Sequence, residues 1–516
     1  MMAMNNANKP MALISVWDKA GIAELAACLA DAGYEIVSSS GTAKHLRENG
    51  VEVTEVLDLT GVPAILGGRV KTLHPTIMGG ILARRDLADD ERDRKEYGIP
   101  LIDIVVCTLY PFEETARKNA GRDELIEKID IGGVSLIRAA AKNHDRVTVI
   151  SDPADYAPVM DALRGGDVGA GLRRDLAIKA FRVTASYDAT IFEGLTDALG
   201  SSCGKEEYEA EKVIPLRRAQ TLRYGENPYQ KAALYMPTLA NPLFIQHCGK
   251  ELSYNNLLDF DTLLKGQAIF QGTCACVIVK HTTPCGTAEA DTPLEAYERA
   301  LASDPVSAFG GIVGFTGRVD LALAKKLSEH FFEIVAAPDI DPDATEFIKD
   351  KKPNLRLLSL TGAYTPREQI TSNRAGFLVQ QETLPPLPVQ AEGRWVGKPR
   401  PDLWDELLFA WRTAWLTKSN AIVLSKNLAS VGIGGGFTNR VDAARYAIEQ
   451  AGEKARRAIM ASDAFFPFPD TVELAASAGI EAIIQPGGSI KDETVAQKAE
   501  ELGVSMFMGG QRTFRH

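Results

Sequence analysis

The sequence has no long apolar run, no excess of basic residues and no regular cysteine framework. No stretch approaches the ~18 consecutive apolar residues that a membrane-spanning helix needs, so we expect no membrane partner. The net charge is −11, and no long Lys/Arg run offers the basic face that nucleic-acid-binding proteins usually carry. The seven cysteines are scattered and odd in number, which argues against a disulfide-stabilised fold.

The first residues also lack the features of a secretory signal. The segment MMAMNNANKPMALISVWDK has no basic start followed by a long apolar core, so we expect a cytoplasmic protein. The 516 residues suffice for two to four domains, and 45% hydrophobic with 24% charged residues is ordinary for a globular chain. Functional positive charges are therefore expected to be local, beside glycines, where they suit small anionic substrates.

The first two hundred residues alternate between predicted strands and helices. MALISV, YEIVS and VEVTEV predict strands, and the periodic segments between them predict helices. This βαβαβ order predicts a parallel sheet covered by helices. Small and charged residues without periodicity at 200–212 predict a linker. We therefore expect a first domain at 1–200, a linker at 201–215 and a second domain at 216–516.

The region after the linker also alternates, and it contains a faint internal repeat. SDPVSAFGGIVGF (303–315) and SDAFFPFPD (462–470) both begin with Ser-Asp, and each is followed by a helix and an apolar strand. The strand that ends at Lys280 and His281 has a candidate counterpart in LTKSNAIVLSKN (416–427). Two related subdomains are one interpretation. Chance similarity between ordinary α/β units is the other.

Two segments of the first domain combine features that bind anions, and a third carries charged residues at both ends of a predicted helix. VSSSGTAKHL (37–46) joins a strand end, a glycine and a helix start, which favours an anion site, although Ser/Thr capping alone explains the same pattern. GGRVKTLHP (67–75) adds Arg69 and Lys71 beside two glycines, which favours phosphate. Asp130 and Lys142 stand at opposite ends of a predicted helix, where dipole stabilisation would also favour them.

The segment VIVKHTTPCG (277–286) ends a predicted buried strand with Lys280 and His281. The pair is either a catalytic couple or a solvated strand end. TTPCG invites comparison with zinc deaminases, but Ala288 stands where the second cysteine of that signature would be, so no zinc site is predicted. The glycine-rich turn in VGIGGGFTNRVDA matches neither nucleotide-binding glycine motif, so ATP and NAD are not indicated.

Taken together, the motifs resemble the PurH family of bifunctional purine-biosynthesis proteins over essentially the whole chain. The resemblance is carried, in order, by GRVKTLHP, LYPF, IDIGGVSLIRAAAKNH, LRYGENPYQ, LSYNNLLD, VKHTTPCG, KSNAIV, SDAFFPF and GGQRTFRH. It implies an α/β protein: a methylglyoxal-synthase-like IMP cyclohydrolase domain, then an AICAR transformylase domain of two cytidine-deaminase-like subdomains without zinc. A homodimer with shared transformylase sites is also implied.

The resemblance further implies two consecutive reactions. The formyl group of 10-formyltetrahydrofolate is transferred to AICAR, and formyl-AICAR then closes to IMP with loss of water. No metal is required, and dependence on a monovalent cation is left open. Two alternatives are a nucleotide-binding regulator without chemistry and a protein with one inactive half. The presence of Lys71, Lys142, Lys280, His281 and Asn420 argues against both.

The motif positions imply a role for individual residues. In formyl transfer, His281 accepts the proton of the amine, Lys280 stabilises charge and Asn420 orients the formyl group. The residues implied for proton handling and oxyanion stabilisation in cyclisation are Lys71, Tyr110, Asp130 and Lys142.

Substrate contacts are implied by the same motifs. In the first domain they are Ser15, Lys19, Ser39, Gly41, Thr42, Arg69 and Thr72. In the second domain they are Arg223, Tyr224, Asn256, Gly310, Glu333, Arg440, Asp470, Arg512 and Phe514. The chain departs from the family at two places: Ser40 replaces the first glycine of a Ser/Thr-Gly-Gly-Thr pattern, and Glu333 stands where Asp is frequent.

Overall fold

The computed structural model describes residues 9–118, 120–200 and 208–516. The chain divides into two compact units, one with residues up to Ala219 plus Tyr235–Ala240, and the other with Gln220–Leu234 and Asn241–His516. The boundaries expected from sequence, at 200 and 215, stay a prediction, and part of the expected linker (201–207) lies outside the described residues. Within the described ranges, no helix combines the length and apolar character needed to span a membrane.

The first unit is built on a five-stranded parallel sheet with strand order β3-β2-β1-β4-β5. The strands are β1 (Met11–Ser15), β2 (Glu35–Ser38), β3 (Thr54–Glu55), β4 (Ile102–Cys107) and β5 (Thr148–Ile150). The helices are α1 (Ile22–Asp31), α2 (Ser40–Glu48), α3 (Val56–Thr60), α4 (Pro75–Leu82), α5 (Ala88–Glu96), α6 (Phe112–Arg117), α7 (Arg122–Glu127), α8 (Gly132–Lys142), α9 (Tyr156–Arg164) and α10 (Ala170–Leu199). The predicted parallel α/β sheet is confirmed.

The predicted strand VEVTEV is only partly correct. Strand β3 is limited to Thr54–Glu55, and α3 begins at Val56. Glu55 and Asp58 form a capping box, in which the backbone N–H of Glu55 donates to Asp58 Oδ2 at 3.2 Å. This local bonding ends the strand because a capping box fixes the start of a helix.

The second unit contains two six-stranded mixed sheets. Strands β6 (Leu216–Leu222) and β7 (Ala232–Pro237) form a separate two-stranded sheet, and their residues up to Ala219 and from Tyr235 belong to the first unit. The strands of the first six-stranded sheet are β8 (Phe244–Cys248), β9 (Ala275–Lys280), β10 (Thr283–Glu289), β11 (Ile312–Phe315), β12 (Ile334–Ala337) and β13 (Arg356–Leu360). The helices of this part are α11 (Tyr254–Ile269), α12 (Pro293–Leu301), α13 (Pro305–Ala308), α14 (Leu321–Leu327) and α15 (Pro342–Lys351).

A hairpin of β14 (Glu368–Asn373) and β15 (Gly376–Gln381) precedes the second sheet. The strands of that sheet are β16 (Arg394–Val396), β17 (Ile422–Ser425), β18 (Ser430–Gly434), β19 (Ile459–Ser462), β20 (Ala482–Gln485) and β21 (Ser505–Met508). The helices are α16 (Trp404–Leu416), α17 (Arg440–Ala451), α18 (Asp470–Ser477) and α19 (Asp492–Glu501).

The two sheets have the same topology. Their orders are β10-β9-β11-β12-β13-β8 and β18-β17-β19-β20-β21-β16. Every pair of neighbouring strands in one sheet runs parallel or antiparallel in the same way as the equivalent pair does in the other sheet. A side chain at Gly286 would collide with the carbonyl oxygen of Ala300, and one at the equivalent Gly432 would collide with that of Ala447. The predicted pair of related subdomains is confirmed, and we call them the first and second repeat.

The sequence similarity that suggested the repeat is partly misaligned. Ser303 and Asp304 lie before β11, whereas Ser462 closes the equivalent strand β19. The two Ser-Asp pairs are therefore not equivalent, although the helices and strands that follow them are. The counterpart of Lys280 and His281 is the end of the predicted segment 416–427, because β9–β10 and β17–β18 are equivalent hairpins.

Short polar contacts join the repeats along strands β10 and β18. The backbone N–H of Thr287 donates to Ser430 Oγ at 2.9 Å, and Ser430 Oγ donates to the Thr287 carbonyl at 3.2 Å. Both residues are buried, and Ala288 and Ala429 form an antiparallel bridge beside them. Satisfied buried polar groups fix one arrangement, since any shift would leave them without partners.

The first unit needs the segment Tyr235–Ala240 for full stability. Arg117 donates to the Thr238 carbonyl through Nε at 3.0 Å and Nη2 at 2.6 Å. Bonds from a charged donor contribute about 1.5–3 kcal/mol each. We therefore expect a fragment of residues 1–200 to melt roughly 5 °C or more below a fragment of residues 1–242. Differential scanning calorimetry measures both, and Arg117→Met in the longer fragment should remove most of the difference. Equal melting temperatures would contradict the prediction.

Candidate active sites

The first candidate site lies where parallel strands of the first unit end. Ser15 closes β1, Ser39 follows β2, and Tyr110 lies three residues beyond β4. The carboxyl ends of neighbouring parallel strands meet at one edge, where α/β sheets bind their ligands. The fold therefore gathers three of the predicted site residues at the sheet edge typical of binding.

The ammonium group of Lys19 is held beside the start of α2. Lys19 Nζ donates to Thr42 Oγ1 at 2.9 Å and to the Val16 carbonyl. Burial, followed by repulsion from Lys71, lowers the pKa of Lys19. Repulsion between two positive charges costs free energy, which a bound anion would offset. This supports Lys19, Thr42 and Lys71 as parts of an anion site.

The start of α2 has further groups suited to an anion. Ser39 Oγ is buried and finds no hydrogen-bond partner among the described residues. Free backbone N–H groups of a helix start attract negative charge. Ser40 has φ +51°, a left-handed conformation that favours glycine, which explains the family's glycine there and gives Ser40 a strained backbone. The hydroxyl of Ser39 is thus available for a ligand.

Asp130 lies at the start of α8 among the other predicted catalytic groups. Its Oδ1 accepts the backbone N–H of Gly133 at 2.7 Å. Burial raises the pKa of Asp130, while N–H groups of Gly133 and Tyr110 and the charge of Lys71 oppose the rise. Burial, and next the carboxylate of Asp130, raises the pKa of Tyr110. Lys71, Tyr110 and Asp130 are therefore neighbours, and shifted pKa values are common where protons are exchanged.

Two aromatic residues that the sequence analysis did not identify support this cluster. The Tyr187 hydroxyl accepts the backbone N–H of Asp130 at 2.9 Å and donates to the Lys128 carbonyl at 3.0 Å. The Trp17 ring lies edge-on to Tyr110, with centroids 5.2 Å apart. Tyr187 belongs to α10, 57 residues from Asp130. No local sequence pattern reports a contact over that separation.

The remaining predicted residues of the first unit differ in position. Thr72 is buried near the start of α8, since a Cβ on Gly132 would lie 3.2 Å from Thr72 Oγ1. Arg69 is exposed and forms an ion pair with Glu127. Lys142 is exposed at the far end of α8, about 15 Å from Gly132 by helical rise. The helix does not bring Lys142 beside Asp130, so its catalytic role stays a prediction.

The second candidate site is the turn between β9 and β10. Lys280 pairs with Thr283, which leaves His281 and Thr282 as a two-residue turn with φ values of +55° and +60°. Lys280 Nζ donates to the Phe309 carbonyl at 2.6 Å, next to Gly310. Gly310 itself has φ +72°. Lys280, His281 and Gly310 are therefore held close together at the ends of adjacent strands.

Asp259 of α11 lies beneath this turn and was missed by the sequence analysis. Its Oδ1 accepts the backbone N–H of Thr282 at 2.6 Å. Burial raises the pKa of Asp259, and the opposing influences are backbone bonds from Thr282 and His281 and the charges of His281 and Lys280. In the segment LLDFD (257–261), no sequence feature distinguishes Asp259 from Asp261.

Two further predicted residues belong to the first repeat. Glu333 forms an ion pair with Arg356, and its backbone N–H donates to the Gly311 carbonyl at 2.8 Å, next to Gly310. Asn256 is buried in a capping box with Ser253 at the start of α11. The capping box gives Asn256 a structural role at the start of α11, and its predicted substrate contact stays a prediction.

The loop with Arg223 and Tyr224 reaches the start of the same helix. Asn255 Nδ2 donates to the Glu226 carbonyl at 3.3 Å. The Arg223 guanidinium lies 4.9 Å from the centroid of the Tyr224 ring and donates to its hydroxyl at 3.1 Å. An arginine held against an aromatic ring keeps its planar donors in one orientation, which suits carboxylate or phosphate.

The second repeat contributes Asn420 and a buried ion pair. Asn420 donates to the Phe437 carbonyl through its backbone N at 3.1 Å and through Nδ2 at 2.9 Å. Arg440 pairs with Asp463 at 2.6 Å, and the two are 8% and 0% exposed. Arg440 is therefore engaged within the fold, and its predicted substrate contact stays a prediction.

The last residues of the chain connect the two repeats at the site. Arg515 Nη1 donates to the Thr282 carbonyl at 3.2 Å and also to the Leu416 carbonyl. The Arg515 carbonyl accepts the backbone N–H of Ser419 at 2.9 Å. Burial lowers the pKa of Arg515. The His281 turn and the loop before Asn420 are thus linked by a residue that the sequence analysis did not identify.

Three predicted contacts remain on the surface of the second repeat. The Arg512 guanidinium lies 4.7 Å from the Phe514 ring centroid, and both residues are exposed. Asp470 begins α18 and accepts the backbone N–H of Thr471 at 2.7 Å. In the part of the chain that the structure describes, no group of three or more His, Cys, Asp or Glu residues is arranged to hold a metal ion.

The fold is that of an α/β protein with two groups of candidate site residues. Residues 21–135 match the model of the MGS-like domain, and residues 140–450, more than half of the chain, match the model of the AICARFT/IMPCHase bienzyme. The chain belongs to the AICARFT/IMPCHase bienzyme family. It is a bifunctional enzyme with formyltransferase and IMP cyclohydrolase activities, and these are the last two steps of IMP synthesis.

Several curated proteins are similar to the chain along nearly its full length. Bifunctional purine biosynthesis protein PurH of Persephonella marina is 47% identical over 519 residues, covering 98% of this chain and 99% of that protein. The PurH protein of Bacillus subtilis is 44% identical over 520 residues, with coverage of 98% and 99%. A crystal structure of ForH is 41% identical, covers 36% of this chain and 100% of that chain, and has a TM-score of 0.33.

The buried ion pair in the second repeat should control stability. Arg440→Leu leaves the Asp463 charge buried without its partner, which costs about 3–5 kcal/mol. Arg445→Leu removes an exposed pair with Asp442 on the same helix and should cost less than about 1 kcal/mol. Urea unfolding followed by circular dichroism measures both changes. If the two variants lose similar stability, the Arg440–Asp463 pair does not have this structural role.

Proposed function

We propose that the first unit closes formyl-AICAR to IMP and that the second unit transfers the formyl group from 10-formyltetrahydrofolate to AICAR. The match of residues 21–135 to the MGS-like domain supports a separate site in the first unit. The observation that carries the transfer assignment is the His281 turn, with Lys280 on one side and the Asn420 loop linked to it through Arg515.

In formyl transfer, the amine of AICAR is a weak nucleophile because its lone pair is conjugated with the imidazole and carboxamide. His281 accepts a proton from this amine as the nitrogen bonds to the formyl carbon. Lys280 stabilises the negative charge that develops on the formyl oxygen. The bond from the formyl carbon to the folate nitrogen then breaks, and that nitrogen receives a proton to give tetrahydrofolate. Asn420 orients the formyl group.

In cyclisation, the carboxamide nitrogen attacks the formyl carbon of the same molecule. Proximity supplies much of the acceleration, since both reacting atoms belong to one bound substrate. Asp130 exchanges the proton of the carboxamide nitrogen, and its raised pKa supports that role. Lys71 and Tyr110 stabilise the oxygen that leaves as water, and Lys142 is a further candidate for proton transfer.

The anion site near α2 binds the phosphate of the cyclisation substrate. Lys19, Ser39, Gly41 and Thr42 are its core, and the buried, unoccupied hydroxyl of Ser39 supports this assignment within the described residues. Ser15, at the end of β1, and Arg69 and Thr72, in the loop before α4, are further proposed contacts. In the second unit, the proposed nucleotide contacts are Arg223, Tyr224, Asn256, Gly310, Glu333, Arg440, Arg512 and Phe514. Asp470 is the proposed contact for the folate ring.

A homodimer in the cytoplasm is also proposed. The β14–β15 hairpin leaves Phe377 and Leu378 74% and 63% exposed, and an isolated hairpin is marginally stable in water. A second copy of the chain would cover these residues. The six described cysteines are free thiols, as expected in a reducing compartment. Independence from metals stays a prediction, and a monovalent-cation requirement stays open.

Two variants should separate the two reactions in one chain. We expect His281→Ala to lower formyl transfer by roughly 10²-fold or more, the usual loss for a general base, and to leave cyclisation of supplied formyl-AICAR intact. Asp130→Asn should have the opposite effect, because Asn can still accept the Gly133 N–H while the proton-exchanging group is lost. Separate assays of tetrahydrofolate release and IMP formation measure these losses. Near-full formyl transfer by folded His281→Ala would exclude His281 as the base.

The hairpin should determine the oligomeric state. Replacing Phe377 and Leu378 together by Ser removes the exposed apolar area, so the dimer should dissociate at protein concentrations where the parent chain remains dimeric. Analytical ultracentrifugation over a concentration series measures the change. Leu87→Ser, at an exposed apolar residue of the first unit, is the matched control. Unchanged sedimentation of the double variant would exclude the hairpin as the interface.

A further inference from the structure

The turn that carries His281 has a structural counterpart in the second repeat. In both turns a carboxylate from the preceding helix accepts backbone N–H groups of the turn. We propose that Asp259 is the positioning residue for formyl transfer: it holds the His281–Thr282 turn in the conformation that presents the imidazole to substrate. This inference rests on the proposed role of His281 in transfer. Asp259 does not itself exchange the proton.

In the first repeat, the carboxylate binds both amides of the turn. Asp259 Oδ1 accepts the Thr282 N–H at 2.6 Å, and the carboxylate also accepts the His281 N–H. The Thr282 carbonyl is bonded on its other side by Thr262 Oγ1 at 3.4 Å and Arg515 Nη1 at 3.2 Å. The backbone of the turn is therefore held from both sides, and only the side chain of His281 projects freely.

The second repeat builds its turn in the same way with different residues. Asn427 and Leu428 both have φ +56°, and Glu406 Oε2 accepts the Leu428 N–H at 2.7 Å. The Glu406 carboxylate also accepts the Asn427 N–H. Lys426 Nζ donates to the Arg456 carbonyl at 2.9 Å, as Lys280 Nζ does to the equivalent Phe309 carbonyl. Asp259 and Glu406 come from equivalent helices, α11 and α16.

The shared carboxylate has a physical reason. Two-residue hairpin turns with two left-handed residues prefer Asn-Gly or Gly-Gly, and other residues are strained there. Neither His-Thr nor Asn-Leu contains glycine. The two backbone N–H groups of such a turn point to one side, where a carboxylate can accept both. Both turns, although different in sequence, have a carboxylate that accepts their backbone N–H groups. We infer that this carboxylate stabilises the two left-handed residues of each turn.

Only the first of the two turns carries an imidazole. Asn427 stands where the first repeat has His281, so Glu406 supports a turn without a proton acceptor. The second repeat therefore provides a matched control for Asp259 within the same chain. Loss of either carboxylate should loosen its own turn, but only the loss of Asp259 should misplace a reacting group.

The test uses the full-length protein and four variants: Asp259→Asn, Asp259→Leu, Asp259→Leu with Thr282→Gly, and Glu406→Leu. For formyl transfer, Asp259→Leu should lower kcat by about 10- to 100-fold, the range expected for a misplaced catalytic group, with KM for AICAR changed less than about threefold. Asp259→Asn keeps an acceptor oxygen and should lose less. Glycine at 282 relieves the strain that Asp259 offsets, so the double variant should recover at least about fivefold in kcat.

Glu406→Leu should leave kcat for formyl transfer within about twofold of the parent, and thermal unfolding of each variant reports whether the second unit is folded. Retention of kcat by Asp259→Leu would overturn the inference, and so would equal losses in Asp259→Leu and Glu406→Leu. A loss that glycine at 282 does not relieve would show that Asp259 does not act through the turn. Failure of the proposed function is seen separately, as formyl transfer that survives His281→Ala.

Discussion

The second unit depends on the joining of its two repeats at the edges of β10 and β18. Thr287 and Ser430 exchange hydrogen bonds there in a buried position, and Ala288 pairs with Ala429. Without this contact each repeat would expose a strand edge, a surface that readily pairs with other chains. The contact also fixes the distance that Arg515 must span between the His281 turn and the loop before Asn420. The arrangement of the candidate transfer site therefore depends on the pairing of β10 with β18.

Each candidate site contains a partly buried aspartate whose carboxylate accepts backbone N–H groups and lies within the influence of a lysine charge. In the first unit Asp130 is bonded by Gly133 and lies near Lys71. In the second unit Asp259 is bonded by Thr282 and lies near Lys280. Burial raises the pKa of each carboxyl, while the amides and the lysine favour ionisation. The same combination of carboxylate, backbone N–H groups and lysine is thus proposed to exchange a proton at Asp130 and to position a turn at Asp259.

The sequence predicted those features that depend on local pattern or on family motifs. Apolar runs such as ACVIVK revealed the buried strands, and the motif order indicated the family and most candidate residues. It did not reveal Asp259, Tyr187 or Arg515, because their contacts join segments separated by 23 to 233 residues. The strand predicted at VEVTEV was shortened by a capping box. The Ser-Asp similarity led to a correct prediction of the repeat, but the two Ser-Asp pairs are not equivalent. Ser303 and Asp304 precede β11, whereas Ser462 ends the equivalent strand β19.

The two repeats differ beside the proposed transfer site. Arg457 has φ +62° and occupies the position of Gly310, and its Nε bonds Glu481, the counterpart of Glu333, at 3.3 Å. The second repeat therefore carries a guanidinium at a position where the first repeat has no side chain. The two repeats consequently share one sheet topology, whereas the imidazole of the proposed transfer site has Asn427 as its counterpart in the second repeat. On the proposed function, a ligand that must contact both the His281 imidazole and the Gly310 backbone would find one such arrangement in each chain.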